Sequence, residues 1–200
     1  VLIVGASGGC GTAFMQLGRA AALRMYGLAS SHKHPLLHEH GVTAIDYRTQ
    51  DFVEFMKQAE PDGIDFVFNG MGAEYFKPGL QVLRRGGVLV HFGAPPSMRG
   101  LLWLVAKLLL TNLLPNGKRI KGYGTHRLGV DTFKPDWRAL FDLLAKGEIK
   151  PPVTATFPIL EAPKAYDLLG SGQVAGNIVL LAPEFFSQEP LDSVTEDNVA

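Results

Sequence analysis

One cysteine, Cys10, stands among 200 residues. That excludes an intrachain disulfide and a cysteine-rich zinc lobe, and it fits a reducing compartment. Charge of one sign is missing too: nineteen basic residues balance nineteen acidic ones. The bulk electrostatic signature of a nucleic-acid or membrane-surface binder is therefore absent. No signal-peptide pattern is visible. The most apolar run, Leu101 to Leu114, is broken by Lys107, Thr111 and Asn112 and is shorter than the ~20 residues needed to span a bilayer. It reads as a helix buried against a sheet or a subunit partner. These absences point to a cytoplasmic protein with a small-molecule substrate, no nucleic-acid partner and no membrane span.

What is present is a core-forming composition, 46% hydrophobic and 19% charged, enough for one large domain or one domain with part of a second. The informative stretch comes first. Val1-Leu2-Ile3-Val4 reads as a strand buried on both faces. The glycine-rich turn Gly5-Ala6-Ser7-Gly8-Gly9-Cys10-Gly11 follows, and Ala13 to Ala22 reads as a helix. Strand, glycine turn and helix together give the context of a dinucleotide fingerprint, here in the variant form A-x-G-x-x-G from Ala6. Gly8 lets backbone approach a pyrophosphate, Gly11 lets the helix pack on the strand, and the helix N-terminus offers N–H groups to phosphate. Ala6, Ser7, Gly8, Gly9 and Cys10 are thus the candidate pyrophosphate contacts. Because the chain begins with Val1 inside a central strand, a preceding segment is expected.

Further strands are expected at Met25 to Ser30, Val42 to Tyr47, Ile64 to Gly70, Val88 to Gly93 and Arg119 to Gly124. Between them come a short helix from Ser31 to His40, interrupted early by Pro35, and a helix from Phe52 to Ala59. A helix end with a glycine stop is expected over Gly79 to Gly87, and an amphipathic helix over Asp136 to Lys146. This alternation means a parallel, doubly wound α/β sheet of the Rossmann type. Residues 1–150 form the dinucleotide-binding domain in this reading. Pro151-Pro152 opens a segment to residue 183 with a strand (Val153 to Phe157), a helix (Glu161 to Leu169) and a last strand (Ile178 to Leu181); residues 184–200 read as a polar tail.

Cofactor choice is read from the end of the second strand, where an NAD site usually carries a carboxylate for the ribose 2′-hydroxyl. Ser30, Ser31, His32 and Lys33 supply none. Hydroxyls and a lysine suit the 2′-phosphate of NADP instead, with Arg48 adding charge and Tyr47 placed to stack on adenine. NADP(H) is the expected cofactor.

The glycine turn, the Ser30 and Lys33 spacing, Asp46-Tyr47-Arg48 before Asp51-Phe52, the Leu83-Arg84-Arg85-Gly86-Gly87 turn and the closing Gly176-Asn177-Ile178-Val179-Leu180 together resemble the quinone oxidoreductase branch of the medium-chain dehydrogenase/reductase superfamily. The likeness runs from residue 1 to about 183. It implies the cofactor half of a two-domain, zinc-independent, often dimeric enzyme that reduces quinones, enones or related carbonyls with NADPH. It also implies that residues 151–183 return to a GroES-like substrate domain largely absent here. By position, the resemblance makes Ser30, Lys33 and Tyr47 the 2′-phosphate and adenosine contacts and sets Phe92-Gly93 near the nicotinamide ribose; Gly70, in the glycine pair Gly70 and Gly72 that ends the fourth strand, is a further candidate cofactor contact. Asn177 stands where the family more often has lysine. The 200-residue chain alone is expected to bind cofactor without turning over an acceptor, its catalytic residues being unidentified.

Three rivals use the same residues differently. Gly5-Ala6-Ser7-Gly8-Gly9 also fits G-x-S-x-G, the nucleophile elbow of an α/β-hydrolase, with Asp65 and His91 or His126 as partners. Gly11 and the Ser30 and Lys33 pattern need separate explanations under that reading. A non-catalytic dinucleotide-binding module is the second rival. The third, a short-chain dehydrogenase, needs Tyr-x-x-x-Lys, and no tyrosine here has lysine four residues later. His32, His34, His38 and His40 lie close together, but no carboxylate–cysteine set completes a metal site, and Cys10 reads as a small filler in the turn.

Overall fold

The structure is a computed structural model that describes residues 1–92, 98–113, 115, 117–123 and 130–186. Contacts divide the chain into two compact units, Val1–Pro151 and Pro152–Ala200.

In the first unit, six strands form one sheet: β1 (Leu2–Val4), β2 (Met25–Ala29), β3 (Val42–Asp46), β4 (Ile64–Asn69), β5 (Leu83–His91) and β6 (Arg119–Gly122). Their order is β3-β2-β1-β4-β5-β6, and every pairing is parallel. Parallel strands need crossovers, and helices supply them: α1 (Gly9–Ala20), α2 (His34–Glu39), α3 (Phe52–Ala59), α4 (Phe76–Val82) and α5 (Met98–Leu113) lie between successive strands, and α6 (Val130–Ala145) follows β6. The order reverses between β1 and β4, which is where doubly wound sheets open a crevice at the strands' carboxyl ends.

Strand alternation accounts for the two cores. Leu2 and Val4 point to one face and join Phe52 and Met56 of α3 and Phe76 and Val82 of α4. Ile3 points to the other and joins Met15 of α1 and Leu37 of α2. A strand with successive residues buried on opposite faces must be apolar throughout, which is why β1 carries no polar residue. The doubly wound fold expected from the sequence is the one formed.

Boundaries moved where local chemistry was misread. Pro35 does not interrupt the helix but sits in the first turn of α2, after a 3-10 turn at Ser31–Lys33, where its missing N–H costs nothing. The expected helix end over Gly79 to Gly87 stops at Val82. β5 already begins at Leu83 and bulges, so that Ile64 faces Leu83 while Phe66 faces Val88. Gly86, at φ +86°, makes that excursion possible. Helix α6 starts at Val130, six residues before the expected Asp136, and accommodates Pro135 within it. Of the apolar run, α5 turns Leu104 and Leu108 to the core and leaves Leu102, Leu109, Leu110 and Leu113 exposed.

The second unit pairs β7 (Val153–Pro158) in parallel with β8 (Asn177–Leu181), joined through α7 (Ala162–Gly170) and followed by α8 (Pro183–Phe186). Asn177 donates its backbone and side-chain N–H groups to the Pro152 carbonyl, so here it ties the start of β8 to the residue before β7. The tail beyond residue 186 lies outside the described residues.

The closest approach of a glycine to backbone atoms in the first unit is at Gly11. A Cβ there would sit 2.4 Å from the carbonyl oxygens of both Gly5 and Ala6, so α1 and the end of β1 touch backbone to backbone. Gly11→Ala is expected to lower the unfolding free energy by about 1–3 kcal/mol, as overpacking does, measured by urea denaturation. An unchanged midpoint would mean that the helix does not approach the strand this closely.

Candidate functional site

The carboxyl ends of β1, β2 and β3 come side by side. Gly5 leaves β1 at φ +74°, in the left-handed region that favours glycine. The tight turn is therefore made by Gly5, one residue before the Ala6 position inferred from the A-x-G-x-x-G pattern. Ala6 turns into the core: it is fully buried, and its N–H donates to the Leu28 carbonyl at 3.1 Å. Its donor is therefore already used by the sheet.

Gly8 behaves differently. It is the N-cap of α1 at φ −80° and ψ 173°, with no side-chain cap, a conformation any residue adopts. The nearest protein atom to a Cβ placed there is the Gly5 oxygen at 3.6 Å. Nothing among the described residues forbids a side chain at Gly8; among them the space in front of it is open. The first helical backbone bond runs from Thr12 N–H to the Gly8 carbonyl, so the N–H groups of Gly9, Cys10 and Gly11 precede any intrahelical acceptor. Cys10 is exposed, and Ser7 is buried at the turn.

Beyond β2, buried Ser30 accepts the Lys33 N–H through its carbonyl at 2.9 Å, closing the 3-10 turn. Burial first, and then the Arg48 guanidinium, holds the Lys33 ammonium below its ordinary range. Arg48 lies over the ring of half-exposed Tyr47, 5.8 Å from its centroid. Two cations brought within Coulombic range at the rim of a crevice form an arrangement that an anion relieves.

Across the reversal, the end of β4 is organised by a residue to which the sequence reading gave no role. Asn69 is fully buried. Its Nδ2 donates to the Gly72 carbonyl at 2.8 Å, and its Oδ1 accepts from Met71 N–H at 3.0 Å. Its backbone carbonyl meets His91 Nδ1 at 3.0 Å and accepts from Phe92 N–H. This sets Met71 against Gly5, its sulfur 3.0 Å from where a Cβ would be. Gly70 is required by Phe92, whose ring would lie 2.3 Å from a Cβ at that position. Phe92 packs near Phe14, which stacks on Phe68 at 4.5 Å. The only sequence signal for Asn69 was the Gly-x-Gly pair that follows it. Gly93 and His126 lie outside the described residues.

The hydrolase elbow does not form. Ala22 is the only non-glycine at positive φ among the described residues, so Ser7 lacks the strained turn of a nucleophile elbow. Asp65 near the start of β4 is an exposed partner of Arg84, whereas His91 ends β5 at the opposite rim.

These features have counterparts in known proteins. Residues 40–180 match the family described as zinc-binding dehydrogenase. The chain belongs to that family. It lies within the medium-chain dehydrogenase/reductase superfamily, in its quinone oxidoreductase-like part, and the family is dinucleotide-binding. Over 94% of its length the chain is 29% identical to the synaptic vesicle membrane protein VAT-1 homolog of Danio rerio, covering 42% of that protein. It is 28% identical to a 2-haloacrylate reductase of Burkholderia sp, over 90% of this chain and 55% of that one. The crystal structure of CurK enoyl reductase shares the fold, with a TM-score of 0.76 at 23% identity over 91% of this chain and 54% of that one. The chain thus spans about half the length of the relatives it matches.

Despite the family's description, no three His, Cys, Asp or Glu side chains come together among the described residues as a metal site requires. These described residues do not fit zinc. Nor is any helix among them long and apolar enough to cross a membrane. Asn69→Ala, which strands the Gly72 carbonyl and the Met71 N–H, is expected to cost about 1–3 kcal/mol of stability, read from the urea midpoint.

Proposed function

We propose that this dehydrogenase-family chain binds NADP(H) and forms the cofactor-holding part of an oxidoreductase that reduces an electron-poor double bond or carbonyl, as in enones and quinones. The observation that carries the reading is Gly8. Its backbone needs no glycine, yet a side chain there would fill the open space before the uncapped N-terminus of α1. In this reading the N–H groups of Gly9 and Cys10 hold the pyrophosphate, helped by the helix dipole. Ser30, Lys33 and Arg48 hold the 2′-phosphate, and Tyr47 covers the adenine. Phe92, braced by Phe14 and Gly70, walls the crevice on the nicotinamide side. When bound, the nicotinamide supplies the hydride; the protein supplies binding, orientation and electrostatics.

Support for the acceptor class comes from the Burkholderia relative, whose name states reduction of a 2-haloacrylate, a compound with an electron-poor double bond. The exposed face of α5 supports the subunit-partner reading of that helix, and a cytoplasmic homodimer completes the proposal.

NADPH is expected to bind more tightly than NADH in calorimetry; equal or reversed affinities would remove the NADP(H) assignment. Lys33→Ala is expected to cost about 1–3 kcal/mol of NADPH binding through loss of a charge-assisted contact. Gly8→Val is expected to keep the far-ultraviolet circular dichroism and urea midpoint of the parent while abolishing the change in NADPH fluorescence on mixing. Binding unchanged by that substitution would move the phosphate site away from this turn.

A further inference from the structure

We propose that Asp46 is a positioning residue for cofactor choice: its buried carboxylate locks the Ser31–Lys33 turn and the Tyr47-Arg48 loop into one phosphate-binding pair. The inference rests on the NADP(H) reading above and adds to it a residue that acts through others.

Asp46 is the last residue of β3 and stands directly opposite Ala29, the last residue of β2. The two candidate phosphate-binding segments therefore leave the sheet side by side, one from each partner of this pair. An exposed loop pair carrying two cations has no intrinsic reason to stay together, since Lys33 and Arg48 repel one another. Asp46 supplies the tie. Its Oδ1 accepts the Arg48 N–H at 3.0 Å, fixing the first step of the loop as an Asx turn. Its own N–H donates to Gln50 Oε1 at 2.9 Å, and its carbonyl accepts from Thr49 and Gln50 N–H. The side chains of Thr49, in the same loop, and Ser31, across the strand pair, also favour the charged form of the carboxylate. Only 8% of the residue is exposed.

The charge matters as well as the geometry. Led by the Arg48 amide, these bonds hold the carboxyl below its ordinary range, so it is ionised at neutral pH. An acid presented to the ligand would repel a 2′-phosphate. This one spends its acceptors on the loop backbone and on neighbouring side chains, so it is not presented to the ligand.

The test measures NADPH and NADH affinities of the full chain by calorimetry, for the parent, Asp46→Ala, Asp46→Asn and Arg48→Ala, and for Arg48→Ala combined with Asp46→Ala. NADH lacks the 2′-phosphate, so damage to the fold at large weakens both nucleotides alike. Asp46→Ala is expected to weaken NADPH about tenfold and NADH by about threefold or less, since the two nucleotides share only the Tyr47 contact to adenine in this loop. Asp46→Asn, which keeps an acceptor for the Arg48 N–H but not the charge, is expected to fall between. In the Arg48→Ala background the loss caused by Asp46→Ala is expected to shrink to about threefold or less. Equal weakening of both nucleotides, or NADPH affinity unchanged in Asp46→Ala and Asp46→Asn, overturns this inference alone. If Asp46→Ala does not fold by circular dichroism, Asp46→Asn decides by the same split. A parent chain that does not prefer NADPH overturns the NADP(H) reading, and this inference with it.

Discussion

The first unit depends on one close contact, the backbone of α1 at Gly11 against the Gly5 and Ala6 carbonyls. Only a residue without a Cβ permits it, and it fixes how far the helix N-terminus stands from the end of β1. The position of Gly8, the left-handed exit at Gly5 and the bond from Ala6 to Leu28 follow from that distance. A wider separation would leave the first-turn N–H groups aimed at nothing in particular. The fold tolerates substitution at many surface positions, but here one methyl group stands between a packed crossover and a displaced one.

The glycines of the site divide by what requires them. Gly5 answers to a dihedral angle, Gly11 to the neighbouring carbonyls, and Gly70 to the ring of Phe92. Gly8 answers to none of these, and this asymmetry distinguishes a turn shaped by its fold from one shaped by what it binds. The same logic separates Ala6 from its neighbours, since its donor and its methyl group are both committed to the core.

Local signals in the sequence were sufficient for β1, for α3 with its Asp51 cap accepting from Val53 and Glu54 N–H, and for the parallel order implied by alternation. They also put Ser30 at the end of the second strand and Lys33 in the helix after it, where the structure forms a 3-10 turn. They failed where a residue's role is set from far away in the chain. Leu83 to Gly87 reads as a helix stop because its glycines are local, while the bulge that uses Gly86 is defined against β4. Asn69 and Asp46 were visible only as polar residues near strand ends. Their value lies in bonds to a following turn and to an adjacent loop, which appear once the strands are in register. Pro35 and Pro135 show the same limit, for a proline's effect depends on its place in the helix turn.

Helix α5 shows water a run of large aliphatic side chains, Leu102, Leu109, Leu110 and Leu113, on a chain whose formal net charge is zero at pH 7. Uncovered apolar surface draws molecules together, and at zero net charge no long-range repulsion holds them apart. For the chain in isolation, colloidal behaviour is therefore governed by acidity as much as by concentration. Near neutrality it sits at its least protected, and a shift of the buffer to either side restores mutual repulsion.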